Sequence, residues 1–172
     1  MFGIKNKLIN SQKVEVLISA MHLYDNSIIK NTNIQSDVVL INQCDIDEYK
    51  EVTYENSTVK YLSTTERGLS KSRNNALELA TGDICLICDD DENLHDNYEK
   101  LILKAYSEIP DADIITFRFK YPGKKYDNSI KRIGYLNAST ISSIEITFKR
   151  KKIIESKIRF NESFGAGSVY AL

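Results

Sequence analysis

Four consecutive acids, Asp89, Asp90, Asp91 and Glu92, follow directly on the apolar run ICLIC at 84–88. Adjacent carboxylates repel one another and need a counter-charge. On an extended backbone Asp89 and Asp91 project to the same side, so an Asp-x-Asp pair can face one ion. Hard divalent cations such as Mg²⁺ or Mn²⁺ bind through one or two carboxylates together with substrate phosphates. The same acids also suit a turn opening the next helix, where negative charge is favoured. The buried strand in front of them favours the metal reading. Arg73 is the second chemical group. On a helix over 69–80 it falls between Ala76 and Leu77 on the apolar face. A buried guanidinium needs an anionic partner; a diphosphate or a carboxylate of the cluster would serve, whereas a snorkelling side chain would need neither. Asn74 and Asn75 follow it and lower helix propensity, which points to a local use.

Other reactive residues carry less. Cys85 and Cys88 form a C-x-x-C within a strand. Three residues apart they point to opposite faces, so they read as core cysteines and not as a metal or redox pair. Cys44 leaves an odd total of three with no disulfide framework. His95 opens a helix and reads as solvated; His22 follows the first strand and borders a candidate cleft. No Gly-rich phosphate loop and no serine nucleophile elbow is present, which argues against nucleotide hydrolases, dinucleotide enzymes and serine hydrolases.

These groups need elements to hold them. Residues 14–21 and 37–44 read as strands buried on both faces. The stretch 25–33 reads as a short helix, 45–57 as a loop or weak helix, and 58–63 as a short strand. A helix over 69–80 ends near Gly82, placed as a C-terminal cap, and leads into the strand 83–88. A second helix spans 96–109, with Asp96 and Glu99 as a capping box and Pro110 as its stop. Residues 112–120 read as a strand, 121–123 as a turn, 135–148 as one or two strands with SIEITFK the clearer, and 150–157 as a short helix. Strands alternate with helices, the pattern of an α/β domain with a mostly parallel sheet. Ligands of such sheets sit beyond the carboxyl ends of the strands. Ser19–Met21, Asn42–Asp45 and Asp89–Glu92 all fall there.

Composition sets the class. The chain has 172 residues, 42% of them hydrophobic, which is ordinary for a globular domain. No apolar run is long enough to span a bilayer and the first residues lack a secretory signal, so the expected location is cytoplasmic. The net charge of −1 hides an asymmetry: residues 1–117 carry 11 Lys and Arg against 20 Asp and Glu, whereas 118–159 carry 12 against 3. The basic segment reads as a solvated face, or as a surface meeting phosphates or anionic lipid at the inner face of a membrane. No feature points to nucleic acid.

The run RGLSKSRNNALELATGDICLICDDDE, residues 67–92, resembles the core signature of family 2 glycosyltransferases of the GT-A fold. The matching residues are Gly68, Leu69, Ser70, Ser72, Arg73, Asn74 and Ala76, then Gly82 and Asp83, then Asp89 and Asp91. FNESFGAGS at 160–168 is similar to the family's acceptor-side loop. The resemblance implies a three-layer α/β sandwich with a Rossmann-like nucleotide-binding half. It implies one domain over 1–172, with donor binding in about 14–120 and the acceptor side in about 121–172. The implied activity is metal-assisted, inverting transfer of a sugar from a nucleotide donor, a UDP-sugar first, to an acceptor hydroxyl in surface polysaccharide or glycan synthesis, on a glycan or lipid-linked acceptor. Donor-binding residues are then Ser19, Ala20, Asn42, Gly68, Arg73, Asp89 and Asp90. Asp89 and Asp91 hold Mn²⁺ or Mg²⁺. Three departures stand out. The second strand ends in Asn42 and Gln43 where the family has an Asp pair; the first ends in Ser19, Ala20 and Met21 instead of a Pro-Thr-Tyr-Asn type run. The family's Glu-Asp pair, with the general base, lies beyond the FGAGS loop and hence beyond Leu172. The expectation is a chain truncated on its acceptor side, and the alternative is a nucleotide-sugar-binding module without turnover.

Overall fold

The computed structural model describes residues 12–118 and 129–170. Seven strands form one sheet: β1 (Val14–Met21), β2 (Asp37–Gln43), β3 (Glu48–Tyr54), β4 (Ser57–Thr64), β5 (Ile84–Asp89), β6 (Ile114–Thr116) and β7 (Ile146–Lys149). Their order is β3-β4-β2-β1-β5-β7-β6. The central four, β4, β2, β1 and β5, are parallel. β3, β7 and β6 pair antiparallel at the two edges. Among the described residues, four α-helices accompany the sheet: α1 (Ser27–Asn31), α2 (Leu69–Leu79), α3 (Tyr98–Glu108) and α4 (Arg150–Glu155).

The apolar runs do what their alternation requires. Val14, Val16, Ile18 and Ala20 of β1 join Leu86 and Cys88 of β5, α1 and α3 on one face. Leu17, Cys85 and Ile87 join Ala76 and Leu77 of α2 on the other. Burying a side chain such as Ile18, Leu40 or Ile84 completely contributes about 1.5–3 kcal/mol. Cys85 and Cys88 accordingly lie on opposite faces of β5, both without disulfides. Burial pushes the Cys88 thiol up to about 12 and raises that of Cys85 as well, so neither is a thiolate at neutral pH.

Several local readings change. Residues 48–54 form edge strand β3 instead of a loop or weak helix, because pairing with β4 overrides a polar, acidic composition. α3 starts at Tyr98 with Asn97 at its cap position and no side-chain cap bond; Asp96 instead accepts from Asn33 Nδ2 at 2.9 Å. In 135–148 only β7 is a strand; Tyr135–Thr140 and Ser143–Glu145 are 3-10 turns. β6 is shorter than the 112–120 expected. The segments 1–11 and 119–128, with the turn at 121–123, lie outside the described residues.

Gly82 is not the helix cap. α2 ends on Ala80 in an extended conformation. A Cβ on Gly82 would sit 2.5 Å from Glu15 Cβ, so glycine is needed for close approach to β1. Gly82→Ala is expected to lower stability by about 1–3 kcal/mol through overpacking, read as a reduced urea midpoint with an unchanged slope.

Candidate functional site

The register of the parallel strands brings the polar ends together. Ser19 of β1 lies beside Asp89 of β5, Ala20 beside Asn42, and Asn42 beside Ser63 of β4. All lie at the carboxyl edge of the sheet, where α2 also begins. Gly68, at φ +120°, holds the turn into α2 in a conformation that side chains rarely adopt. Its N–H donates to Gln43 Oε1 at 2.7 Å. Ser72 Oγ donates to Ser19 Oγ at 2.8 Å, which ties the helix to β1.

Arg73 sits at the centre. It is buried to 9% exposure in the first half of α2, on the inward face that periodicity gives it. Its Nη2 donates to Asp89 Oδ1 at 3.0 Å and to Ser143 Oγ at 3.0 Å. The guanidinium carbon lies 5.8 Å from the centre of the Phe160 ring. Asn74 explains why two asparagines follow. Its Oδ1 accepts from Phe160 N–H at 2.9 Å, and its Nδ2 donates to Phe160 O and to Glu162 Oε1, each at 3.0 Å. Leu69 N–H donates to Ala166 O and Ser70 Oγ to Phe164 O. The 160–168 loop is thus mounted on the first half of α2.

On the other side of β1 a cleft of about 380 Å³ opens, lined among others by His22, Tyr24, Asn42, Asp45, Tyr61 and Ser63. Its size falls within the range of small-molecule sites. Asn42 lines it, but its amide is committed to backbone: Oδ1 accepts from Leu23 N–H at 2.9 Å and Nδ2 donates to Leu23 O at 3.1 Å. Asn42 thus shapes the cleft wall, whereas Gln43, bonded to Gly68 N–H, fixes the turn into α2. Ala20 is buried in the core and is not part of the cleft lining.

The acidic cluster is a loaded strand end. Asp89 is half-buried against Arg73, while Asp90 and Asp91 are exposed. Desolvation first, then the charges of Asp91 and Asp89, raises the carboxyls of Asp90 and Glu92 above their ordinary values. A carboxyl raised on folding contributes stability fully below its unfolded pKa and loses it as pH rises through the folded one. Asp90 and Glu92 therefore cost stability at neutral pH. Asp90→Asn is expected to raise the Tm at pH 7 and to leave it unchanged near pH 3, as parallel thermal scans would read. Among the described residues no group of three His, Cys, Asp or Glu is placed to enclose a cation. β5 ends at Asp89, and Asp90 and Asp91 lie in a turn, so the two acids Asp89 and Asp91 do not share one side of an extended strand. Half-buried Asp89 and exposed Asp91 are hard carboxylate oxygens of the kind that Mg²⁺ and Mn²⁺ take one or two at a time alongside ligand phosphates.

Sequence reading missed Ser143, Phe160 and the use of Gln43. Only tertiary packing brings Ser143 and Phe160 to Arg73; no local spacing relates positions 70 and 87 residues away. The basic segment does not form one described face. Lys149 Nζ donates to Pro110 O, and Arg150 Nε to Gly82 O, at the end of β5 opposite Asp89. Lys131 and Arg132 belong to the exposed stretch leading into Ser143.

Comparison with known proteins agrees with the architecture. The sequence model of glycosyl transferase family 2 matches residues 26–169. A crystal structure of S. aureus TarS 1–349 superposes with a TM-score of 0.62 at 19% identity, covering 87% of this chain and 50% of that one. A complex of the same protein with UDP-GlcNAc gives 0.60 at 19% identity, with 91% and 51% covered. The chain therefore spans about half the length of these structures, which share its GT-A fold. A search of curated proteins returns no match. With a family model covering most of its length and a sheet whose carboxyl edge gathers Ser19, Arg73 and Asp89, this chain belongs to glycosyl transferase family 2.

Proposed function

We propose that this chain is a glycosyltransferase that moves a sugar, with inversion, from a nucleoside diphosphate donor to an acceptor hydroxyl in surface polysaccharide or glycan synthesis. The observation that carries the reading is the shared sheet edge: a nucleoside-sized cleft on one side of Ser19, and Asp89 with a buried guanidinium on the other. The base and ribose would occupy the cleft, with Tyr61 and His22 as walls. The diphosphate would cross Ser19 and Gly68 toward Arg73. Asp89 and Asp91 would hold Mn²⁺ or Mg²⁺, which when bound supplies neutralisation of the departing diphosphate. Gly68 shapes the turn over the phosphates, and Arg73 offers them a forked donor set. The 160–168 loop, carried on α2, would border the acceptor. A uridine donor has support from the complexes of the structurally similar TarS with UDP and UDP-GlcNAc.

Calorimetric titration of UDP, GDP and uridine in the presence of Mn²⁺ tests the donor class. The expected order is UDP tightest, with uridine weaker by at least about tenfold, equivalent to about 1.4 kcal/mol. Equal binding of uridine and UDP would remove the diphosphate site. Release of UDP from a UDP-sugar by the chain tests turnover separately.

A peripheral membrane contact has its own support. Ile130, Ile133, Tyr135 and Leu136 are all exposed, at 80%, 42%, 95% and 87%, and they flank Lys131 and Arg132. Residues 128–144 contain no acid. Apolar and basic side chains mixed in this way suit an anionic lipid surface. Co-sedimentation with phosphatidylglycerol vesicles, lost in Ile133→Asp/Leu136→Asp, is the expected result; equal sedimentation of the variant would contradict it. Among the described residues no helix is long and apolar enough to cross a membrane.

A further inference from the structure

We infer that Arg73 is an exchangeable counter-charge: it occupies Asp89 in the donor-free protein, so that the strand end takes a divalent cation well only together with a nucleoside diphosphate. The inference rests on the donor reading above and adds an order of binding to it.

Three observations carry it. First, Arg73 Nη2 and Asp89 Oδ1 are 3.0 Å apart, so the carboxylate best placed for a cation already has a positive partner. A dication approaching Asp89 meets a guanidinium of like charge, and the repulsion is strong where both groups are partly shielded from water. Second, Arg73 Nε is buried and has no hydrogen-bond partner among the described residues. Buried donors are nearly always paired, so an orphaned one marks an arrangement that a further acceptor would complete. A guanidinium presents Nε and one Nη as a fork that matches two oxygens of a phosphate. Here the fork is half used: its Nη2 is held by Asp89 and Ser143, and its Nε by nothing. Third, the head group is held from one side by the Ser143 hydroxyl and faces the Phe160 ring at 5.8 Å. Neither partner is an anion. The only ion pair found for the group among the described residues is the one with Asp89.

A diphosphate changes both halves at once. Phosphate oxygens can take the Nε–Nη2 fork once the side chain turns toward them, and Asp89 is then released. The released carboxylate, with exposed Asp91, becomes available to the cation that the same diphosphate needs. Cation and nucleotide thus each remove an obstacle to the other. Such coupling is reciprocal by linkage.

The test has opposite signs for the two ligands. Mn²⁺ alone, and UDP with and without Mn²⁺, are titrated calorimetrically into the wild type, Arg73→Gln and Arg73→Lys. Free Mn²⁺ is checked by electron paramagnetic resonance. Without nucleotide, Arg73→Gln is expected to bind Mn²⁺ about fivefold or more tighter than wild type, because the competing charge is gone. The same variant is expected to bind UDP about tenfold or more weaker. Arg73→Lys, which keeps the charge but not the fork, is expected to bind Mn²⁺ alone as the wild type does. Unchanged or weaker Mn²⁺ binding by Arg73→Gln overturns the proposal. Should Arg73→Gln not fold, Ser143→Ala replaces it. That change loosens the guanidinium without removing a carboxylate; it is expected to give tighter UDP binding than wild type, and unaltered UDP and Mn²⁺ affinities overturn the proposal. If no variant binds any nucleotide, the donor reading fails while the Mn²⁺ comparison still decides the counter-charge.

Discussion

Asp91→Asn is expected to bind UDP with the same affinity whether or not Mn²⁺ is present, whereas the wild type gains at least about tenfold from the cation, equivalent to about 1.4 kcal/mol. Asp91 is exposed and holds no hydrogen bond that supports the fold among those described, so the variant should fold normally. Its carboxylate also helps to raise the carboxyls of Asp90 and Glu92. Removing it should therefore leave Tm unchanged or slightly higher at pH 7. Loss of metal dependence without loss of stability distinguishes a ligand from a structural acid. A variant that keeps the full Mn²⁺ effect would show that Asp91 is not a ligand.

Glu15→Ala should have the largest effect on stability. Glu15 is 1% exposed and lies at the start of β1, at the opposite end of the sheet from the site. Its Oε1 pairs with Lys60 Nζ at 2.9 Å, and its Oε2 accepts from the N–H groups of Thr81 and Gly82. Alanine would leave the Lys60 charge buried and two backbone donors unpaired. Removing one partner of a buried ion pair costs about 3–5 kcal/mol, a large share of the 5–15 kcal/mol typical of a domain. Denaturant unfolding reads this directly. Glu15→Leu combined with Lys60→Met removes both charges and should recover part of the loss, since the Thr81 and Gly82 donors remain. A double variant no more stable than Glu15→Ala would show that the buried charge of Lys60 is not the source of the cost.

The contrast between these two sites explains what was legible in the residues. β1, β2, β5 and α2 follow from local pattern: apolar runs, a 3.6-residue stripe, and a polar end after each strand. Because parallel strands align their carboxyl ends, the meeting of Ser19, Asn42 and Asp89 followed from the order of elements. The inward position of Arg73 followed from its angle on the helix. β3 did not follow, since an exposed edge strand made of Glu, Tyr, Lys, Thr and a single Val carries no alternating apolar pattern and is specified by its partner. Glu15 carried no signal of its own within the apolar strand 14–21; only the fold brings Lys60 and the Thr81 and Gly82 N–H groups to it. Gly82 was placed correctly as punctuation but for the wrong reason, because contact with Glu15, and not a left-handed cap, demands it. Phe160 and Ser143 reach Arg73 from segments whose own sequence gives no hint of that contact.

The most direct test of the account is the melting temperature of the chain in four conditions: alone, with Mn²⁺, with UDP, and with both. A ligand that binds only the folded state stabilises it in proportion to the logarithm of its concentration over Kd, about 2.7 kcal/mol at a hundredfold excess over Kd. The account predicts little change with Mn²⁺ alone, a modest rise with UDP, and a rise with both that exceeds the sum of the two. No rise with UDP and Mn²⁺ together, and none when GDP replaces UDP, would contradict it.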